Sequence, residues 1–190
     1  MFAVFATLWV GPEPTAADEA EVQSLVRAAR VGNARAARRL YELHVARVYR
    51  AVRGLCASDA DAEDVTQDAF VDALSSLARY TPRAGARFIG WLVTVALNRA
   101  RKQRAAAART EPIDEGAERH GGSEEEVVRR RALLDALATL PERDRHVVSL
   151  FYGAELSAEE VAAAVGISAA NVRKICERQR KHLLERLEQP

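Results

Sequence analysis

The clearest structural signal in this chain is LSAEEVAAAVGISAANVRKICERQRKHLLERL, residues 156–187. Ser157 and Glu160 have the spacing at which each side chain caps the other's backbone N–H at a helix start. Gly166 suits the left-handed residue that ends a helix, and Ser168 can cap the helix that follows. The pattern therefore predicts a short helix, a tight glycine turn and a longer basic helix. This is a helix-turn-helix, whose second helix enters the DNA major groove.

The second helix of this motif has an apolar side and a polar side. Val172, Cys176 and Leu183 are spaced to face inward. Asparagine can bind adenine through two hydrogen bonds, arginine can bind guanine, and any basic side chain can bind phosphate. A helical hairpin with a merely solvated basic face is the alternative, but the cap, the turn and the basic face together favour DNA binding. The expected DNA contacts are Asn171, Arg173, Lys174, Glu177, Arg178 and Lys181.

Composition predicts an all-α protein. Apolar residues make up 48% of the 190 positions, and there are only six prolines and ten glycines. The abundant Ala, Leu, Val, Arg and Glu favour helix over sheet. The two cysteines and the scattered histidines form neither a disulfide framework nor a metal site, so we expect no metal, no cofactor and a reducing cytoplasmic location. No phosphate loop or pair of histidine and carboxylate is spaced for catalysis, so no catalytic residue is assigned and a small helical enzyme is disfavoured.

Apolar spacing and turn residues divide the chain into four parts. They are a tail over residues 1–18, a helical domain over 19–108, a linker over 109–123 and a second helical domain over 124–190. The tail begins with an apolar run that lacks a basic start and is too short to cross a bilayer, so a tail is favoured over an export signal and no membrane insertion is expected. The linker joins proline and glycines to acidic residues and cannot bury enough surface to fold alone. We therefore expect two helical domains on a flexible tether.

In the first domain the helical period of apolar residues recurs four times. In the third of these helices, Val65, Ala69 and Leu74 are predicted to face the core, and in the fourth Trp91 and Leu92 are predicted core anchors. The helices are separated by capping and turn residues at Gly32-Asn33, at 57–59 and at 81–85.

Charge is sorted into blocks although the formal net charge is only +1. Residues 54–78 contain six acids and no base, and the following stretch to residue 110 is basic. Asp64, Asp68 and Asp72 stand four apart and share one face of the third helix, beside Asp61 and Gln67. Such a row suits a basic partner, and a solvated acidic face is the alternative.

Three stretches resemble one protein family. Residues 140–187 are similar, without gaps, to region 4 of the extracytoplasmic-function (ECF) group of bacterial sigma factors. DAEDVTQDAFVDAL (61–74) looks like region 2.2, and FIGWLVTVALNRARKQR (88–104) resembles regions 2.3 and 2.4. Ile175 and Glu177 differ from the arginine and the aromatic or histidine that are usual in the family.

The resemblance implies a function. Region 2.2 of the family docks on the β′ clamp helices of core RNA polymerase, which points to Asp61, Asp64, Gln67, Asp68 and Asp72. Region 4 reads the minus-thirty-five promoter element and contacts the polymerase β flap. Regions 2.3 and 2.4 read the minus-ten element and capture a flipped-out base in the loop at 80–87. The minus-ten contacts implied in this chain are Arg83, Arg87, Asn98, Arg99, Arg101 and Lys102.

The expected function is therefore to bind core polymerase and promoter DNA, to help melt the start region and to catalyse nothing. An anti-sigma factor is a further partner that the resemblance implies. The alternative is a stand-alone helix-turn-helix regulator that ignores the polymerase, and the acidic face of the third helix distinguishes the two.

Overall fold

The computed structural model describes residues 19–82, 86–107 and 124–188, and within these ranges it contains helices and no strand. The predicted all-α class is therefore confirmed. A 3₁₀ turn at Leu77–Arg79 and a π-helical turn at Ser149–Gly153 connect longer helices. The helices are α1 (Glu19–Arg30), α2 (Ala34–Arg53), α3 (Asp59–Ser75), α4 (Phe88–Ala107), α5 (Glu124–Ala138), α6 (Glu142–Val148), α7 (Ala158–Val165) and α8 (Ala169–Glu188).

Helix boundaries follow the capping residues of the sequence. The side chains of Asn33 and Ser58 accept backbone hydrogen bonds at the starts of α2 and α3. Ser157 and Glu160 form the predicted reciprocal capping box at the start of α7. Gly166 ends α7 with φ 76°, a left-handed backbone that a residue with a Cβ adopts only with strain. The predicted helix-turn-helix is thus present in α7 and α8.

Helices α1 to α4 form the first group around a shared core. Val65, Ala69 and Leu92 are fully buried within it. The prediction for Leu74 was wrong, since this residue is 36% exposed. The inward face of α3 has turned away by that point, and the 3₁₀ turn carries Leu77 into the core instead. Trp91 is only half-buried, against the rings of Tyr80 and Phe88.

Helices α5 to α8 form the second group, in which α8 packs against α5, α6 and α7. The inward residues of α8 include Val172, Cys176 and Leu183, as predicted. Asp144 of α6 is also buried and accepts hydrogen bonds from Arg178 and Gln179 of α8 at 2.6 and 2.5 Å. A buried carboxylate therefore fixes α8 on its neighbour through charge-assisted hydrogen bonds.

The two groups are packed against each other rather than standing apart. Their buried apolar residues form one continuous cluster, and α2 lies on the π-helical turn. Gly153 of that turn approaches the backbone of α2 so closely that a Cβ would lie 2.7 Å from the carbonyl oxygen of Arg50. The predicted linker, 109–123, lies outside the described residues.

Candidate nucleic-acid and polymerase interfaces

The candidate minus-thirty-five surface is the outer face of α8. All six residues predicted to contact DNA there are exposed, whereas the apolar face is buried. Ile175 belongs to the buried face and is only 3% exposed. The side chain at position 175 packs in the core. The isoleucine found there in place of the family's usual arginine therefore takes no side chain away from the exposed face of α8. The exposed residues are Asn171, Arg173, Lys174, Glu177, Arg178 and Lys181.

Two arginines of this surface are held in place by acidic residues of other helices. Arg178 donates to the buried carboxylate of Asp144 while its own side chain remains 62% exposed. Arg173 donates to Glu159 of α7 at 2.5 Å, and both of these side chains are exposed. These contacts limit the rotamers of both guanidinium groups and leave their outer edges open to a phosphate or a base.

The candidate polymerase surface is the outer face of α3. Its centre is a stripe of exposed residues three or four apart, namely Asp64, Gln67, Val71 and Leu74. Val71 is 65% exposed, although it is a large apolar residue. Sequence reasoning missed Val71 and placed Leu74 in the core. The spacing of Val71 from Gln67 and Asp64 was the available signal, because residues at this spacing share one helix face.

Three other acids of α3, namely Asp61, Asp68 and Asp72, lie on the side of the helix that faces α4. Asp68 accepts a hydrogen bond from Arg99 at 2.5 Å, and Asp72 lies 3.6 Å from the same guanidinium. Asp61 accepts from Gln103 at 2.6 Å. The acidic and basic residues that were assigned to two different partners therefore meet along the contact between α3 and α4. Of the three aspartates spaced four apart, Asp64 is exposed, whereas Asp68 and Asp72 are half-buried.

The candidate minus-ten surface lies on α4 and on the loop before it. Asn98, Arg101 and Lys102 are exposed, and Arg99 is half-buried beside α3. Arg83 lies outside the described residues. The structure thus brings four of the six predicted residues together on one helix, and Arg87 precedes that helix.

Arg87 is directed at the second group of helices. Its guanidinium donates to both carboxylate oxygens of Glu160 at 2.8 and 2.6 Å, and to the backbone carbonyl of Glu155 at 3.1 Å. Beside this pair lies a cavity of about 380 Å³ between the two groups, lined on one side by Tyr80 and Trp91. Burial opposes ionisation of Glu160, but the hydrogen bonds from Arg87 outweigh it and hold the pKa of Glu160 below its usual value.

Two buried histidines lie near these surfaces. Burial, reinforced by the charges of Arg47 and Arg87, lowers the pKa of His44 to about 4. Burial also lowers the pKa of His146 to about 4, with Arg101 as the next cause. Both imidazoles are therefore neutral at pH 7, and neither adds to the basic charge of the candidate DNA surfaces.

Groups of side chains able to hold a metal ion are absent from the residues that the structure describes. In the same ranges, no helix has both the length and the apolar character needed to cross a membrane.

Comparisons with known proteins agree with the two-part architecture. The family model of sigma-70 region 2 matches residues 40–110, and the model of sigma-70 region 4 matches residues 136–183. The chain is 35% identical to the RNA polymerase sigma factor CarQ of Myxococcus xanthus over 78% of this chain and 87% of CarQ. It is 32% identical to the ECF RNA polymerase sigma factor SigD of Mycobacterium tuberculosis over 89% of this chain and 84% of SigD. The chain belongs to the ECF RNA polymerase sigma factors.

This sigma factor covers a smaller share of a third relative, BldN, than of CarQ or SigD. It is 31% identical to the ECF sigma factor BldN of Streptomyces coelicolor over 78% of this chain, and it spans 59% of BldN. Among solved structures, that of CnrH in complex with the cytosolic domain of CnrY superposes with a TM-score of 0.69 at 26% identity, covering 88% of this chain and 97% of CnrH.

Membership of this family confirms the resemblance and the class of function that the sequence predicted. A sigma factor is a DNA-recognition subunit of RNA polymerase and not an enzyme, so the chain acts in transcription initiation through the polymerase. Neither the family models nor the relatives support the alternative function, that of a helix-turn-helix regulator acting without the polymerase.

Proposed function

We propose that this ECF sigma factor docks on core RNA polymerase mainly through the outer stripe of α3. Asp64 and Gln67 supply exposed polar groups, and Val71 and Leu74 supply an apolar patch beside them. A patch of this kind, bordered by charge, has the arrangement of an apolar interface core surrounded by a polar rim. Asp61, Asp68 and Asp72 flank the stripe on the side of α4 and complete the proposed surface, although Arg99 offsets part of the charge of Asp68 and Asp72.

We propose further that residues 19–108 and 124–190 act as two promoter-reading domains. In the second, Asn171 reads a base edge, while Arg173, Lys174, Arg178 and Lys181 bind phosphates or bases and Glu177 lies among them. In the first, Arg83, Arg87, Asn98, Arg99, Arg101 and Lys102 bind the minus-ten strand. The exposure of the α8 face and of the α4 basic residues supports this division.

An anti-sigma factor is the regulatory partner that we propose. CnrH was solved bound to the cytosolic domain of CnrY, and the fold similarity to CnrH supports an analogous partner here. We also assign the protein to the cytoplasm, where the polymerase works.

The observation that carries this proposal is the exposed acidic and apolar stripe of α3. Charge reversal by Asp64→Lys removes an exposed carboxylate that forms no part of the core. We expect the dissociation constant for core polymerase to rise by about 30-fold, the equivalent of about 2 kcal/mol for an interface hot spot. Glu125→Lys is the matched control, because Glu125 is an exposed acid of α5 whose partner, Arg129, lies in the same helix.

The affinity can be measured with labelled sigma factor and purified core enzyme, alongside run-off transcription on genomic fragments. Equal affinities of Asp64→Lys and Glu125→Lys would contradict docking through α3. Transcription that starts at defined sites only when the sigma factor is added would confirm the function and reveal the promoter.

A further inference from the structure

A buried carboxylate lies directly beneath an arginine of the candidate minus-thirty-five surface. Asp144 is 7% exposed, and its Oδ2 accepts a hydrogen bond from the guanidinium of Arg178 at 2.6 Å. The same oxygen accepts from the side-chain amide of Gln179, which is also 7% exposed, at 2.5 Å. The side chain of Arg178 is nevertheless 62% exposed. One nitrogen of the guanidinium is therefore fixed by the interior, while most of the side chain stays open to solvent.

The carboxylate of Asp144 is held by a helix that cannot follow the arginine outward. Asp144 lies on α6, where its neighbour Val148 is fully buried. Arg145 ties the start of the same helix to the end of α5, because it donates to the carbonyl oxygens of Ala138 at 2.8 Å and of Leu140 at 3.1 Å. A group on a packed helix keeps a more precise position than a group on a loop. The carboxylate is thus a fixed point for the guanidinium.

Other basic residues of this surface have exposed partners. Arg173 pairs with Glu159, and both side chains are exposed. Lys181 lies 4.0 Å from Glu185, again with both side chains exposed. Exposed ion pairs contribute little and are screened by salt, so they hold a side chain weakly. The buried carboxylate gives Arg178 a less screened, charge-assisted contact.

Arg178 lies on the same face of α8 as the residue proposed to read a base edge, Asn171. Seven residues separate the two, which is nearly two helical turns and about 10 Å along the axis. Phosphate contacts fix the orientation and register of a protein on the duplex, whereas base contacts read the sequence. An Arg178 with a set orientation can therefore determine where Asn171 meets the base pairs.

We propose that Asp144 is a positioning residue for promoter recognition, which holds Arg178 as a pre-oriented phosphate anchor and so sets the register of α8 on the minus-thirty-five duplex. This inference rests on the proposed function, in which α8 reads that element. Asp144 acts through Arg178, since its own side chain is only 10% exposed. Gln179 supports the carboxylate by donating to the same oxygen. Ordering a free arginine side chain lowers affinity, and a contact formed before binding avoids that loss for the correct register.

The charge of Asp144 also moderates the attraction of Arg178 for phosphate. The carboxylate offsets part of the positive charge of the guanidinium. Without it, Arg178 would be free to bind phosphates in several orientations, which favours sequence-independent binding. Loss of the carboxylate should therefore reduce sequence discrimination without weakening the attraction to DNA. A residue that only stabilised the fold would instead weaken binding to every duplex equally.

Asp144→Asn tests this role, because asparagine keeps the shape of the side chain and an acceptor for Gln179 but removes the charge that holds Arg178. Holoenzyme is reconstituted from core polymerase and the full chain. Its dissociation constant is measured for the promoter fragment identified by run-off transcription and for the same fragment with its minus-thirty-five element replaced. Discrimination is the ratio of the second constant to the first.

We expect Asp144→Asn to lower the discrimination ratio by roughly tenfold, the scale of ordering one arginine side chain. Affinity for the replaced fragment should stay equal or rise. Glu142→Gln is the matched control, because it removes the same charge from an exposed acid of the same helix. This control should change the discrimination ratio by less than about twofold, as expected for an exposed charge.

A double-mutant cycle with Arg178→Ala separates positioning from folding. Arg178→Ala should weaken binding to every duplex and also lower discrimination across the element, because no guanidinium then fixes the register. Adding Asp144→Asn to that variant should lower discrimination no further, since nothing is left to position. The shape-matched pair Asp144→Leu/Gln179→Met makes both buried partners apolar together, which leaves neither unpaired and protects the fold. It releases Arg178 and should lose discrimination like Asp144→Asn.

Unchanged discrimination in both Asp144→Asn and Asp144→Leu/Gln179→Met would overturn the positioning role and leave the sigma function intact. Equal weakening of binding to both fragments would also overturn it, since that is the effect of a purely structural residue. An effect of Asp144→Asn that is the same with and without Arg178 would do so too. If the unmodified holoenzyme started transcription at no defined site, the proposed function would fail as well.

Discussion

Replacing Gly153 by alanine places a methyl group against the backbone of α2. The new Cβ would lie 2.7 Å from the carbonyl oxygen of Arg50 and 3.0 Å from its carbonyl carbon. Ordinary contacts begin near 3.4 Å, so α2 and the π-helical turn must separate by about 0.7 Å. Neither partner can avoid the clash by changing a rotamer, because both are backbone. The interface between the two groups of helices must absorb the whole displacement.

We expect Gly153→Ala to lower the free energy of unfolding by about 1 to 3 kcal/mol, the usual cost of overpacking. This cost cannot exceed the free energy needed to separate the two groups of helices, because the chain can relieve the clash by opening at this interface. If the clash costs more than that separation, the radius of gyration in solution should increase while the helix content stays constant. Gly90→Ala is the matched control at the same interface, since its Cβ would meet nothing nearer than 3.8 Å.

Urea unfolding monitored by circular dichroism measures the stability, and small-angle X-ray scattering measures the size. Gly90→Ala should be neutral or up to about 1 kcal/mol more stable, because alanine favours helix over glycine. If Gly153→Ala matched Gly90→Ala in both stability and size, the close approach of the two groups would be refuted.

Three further outcomes follow from the candidate surfaces and the buried polar groups. Asn171→Ala should reduce discrimination at one base pair by about 1 to 3 kcal/mol. Arg178→Ala should instead weaken binding to all duplexes and make the affinity less dependent on salt. Titrations of promoter and random DNA at several salt concentrations measure both effects. Asp144→Ala leaves the buried amide of Gln179 without its acceptor and should lower the free energy of unfolding in urea by about 1 to 3 kcal/mol. The lowered pKa of His44 means that the unfolded chain binds a proton below about pH 6.5 that the folded chain refuses until about pH 4. Stability should therefore fall by up to about 3 kcal/mol across this window, and His44→Leu should remove that part of the slope in unfolding measured from pH 7 to 4.5.

Much of the architecture was predictable because it depends on local chemistry. The capping box at Ser157 and Glu160 and the left-handed turn at Gly166 involve residues within a few positions of each other, so their spacing alone predicts α7 and the start of α8. The alternation of apolar and polar positions on α8 likewise predicts which residues are exposed. The same reasoning assigned the class of function, since the acidic and basic helices and the helix-turn-helix match one family.

The predictions of burial failed where the orientation of a helix face is set by the helices packed against it. Leu74 has an apolar side chain, but its orientation is determined by where α3 leaves the core, and Val71 beside it is exposed for the same reason. The row of aspartates was correctly placed on α3. The pairing of Asp68 and Asp72 with Arg99 could not be predicted, because these residues lie about thirty positions apart and meet only when α3 packs on α4.

The helices, the helix-turn-helix and the family could all be predicted from local patterns, because each of these depends on residue types at short spacing. The packing of the two groups of helices against each other, and the contact of Arg87 with Glu160, 73 residues away, became visible in the folded molecule alone. Contacts at such a separation depend on the path of the whole chain and on close approaches such as that of Gly153 to α2. Local patterns carry no information on these contacts.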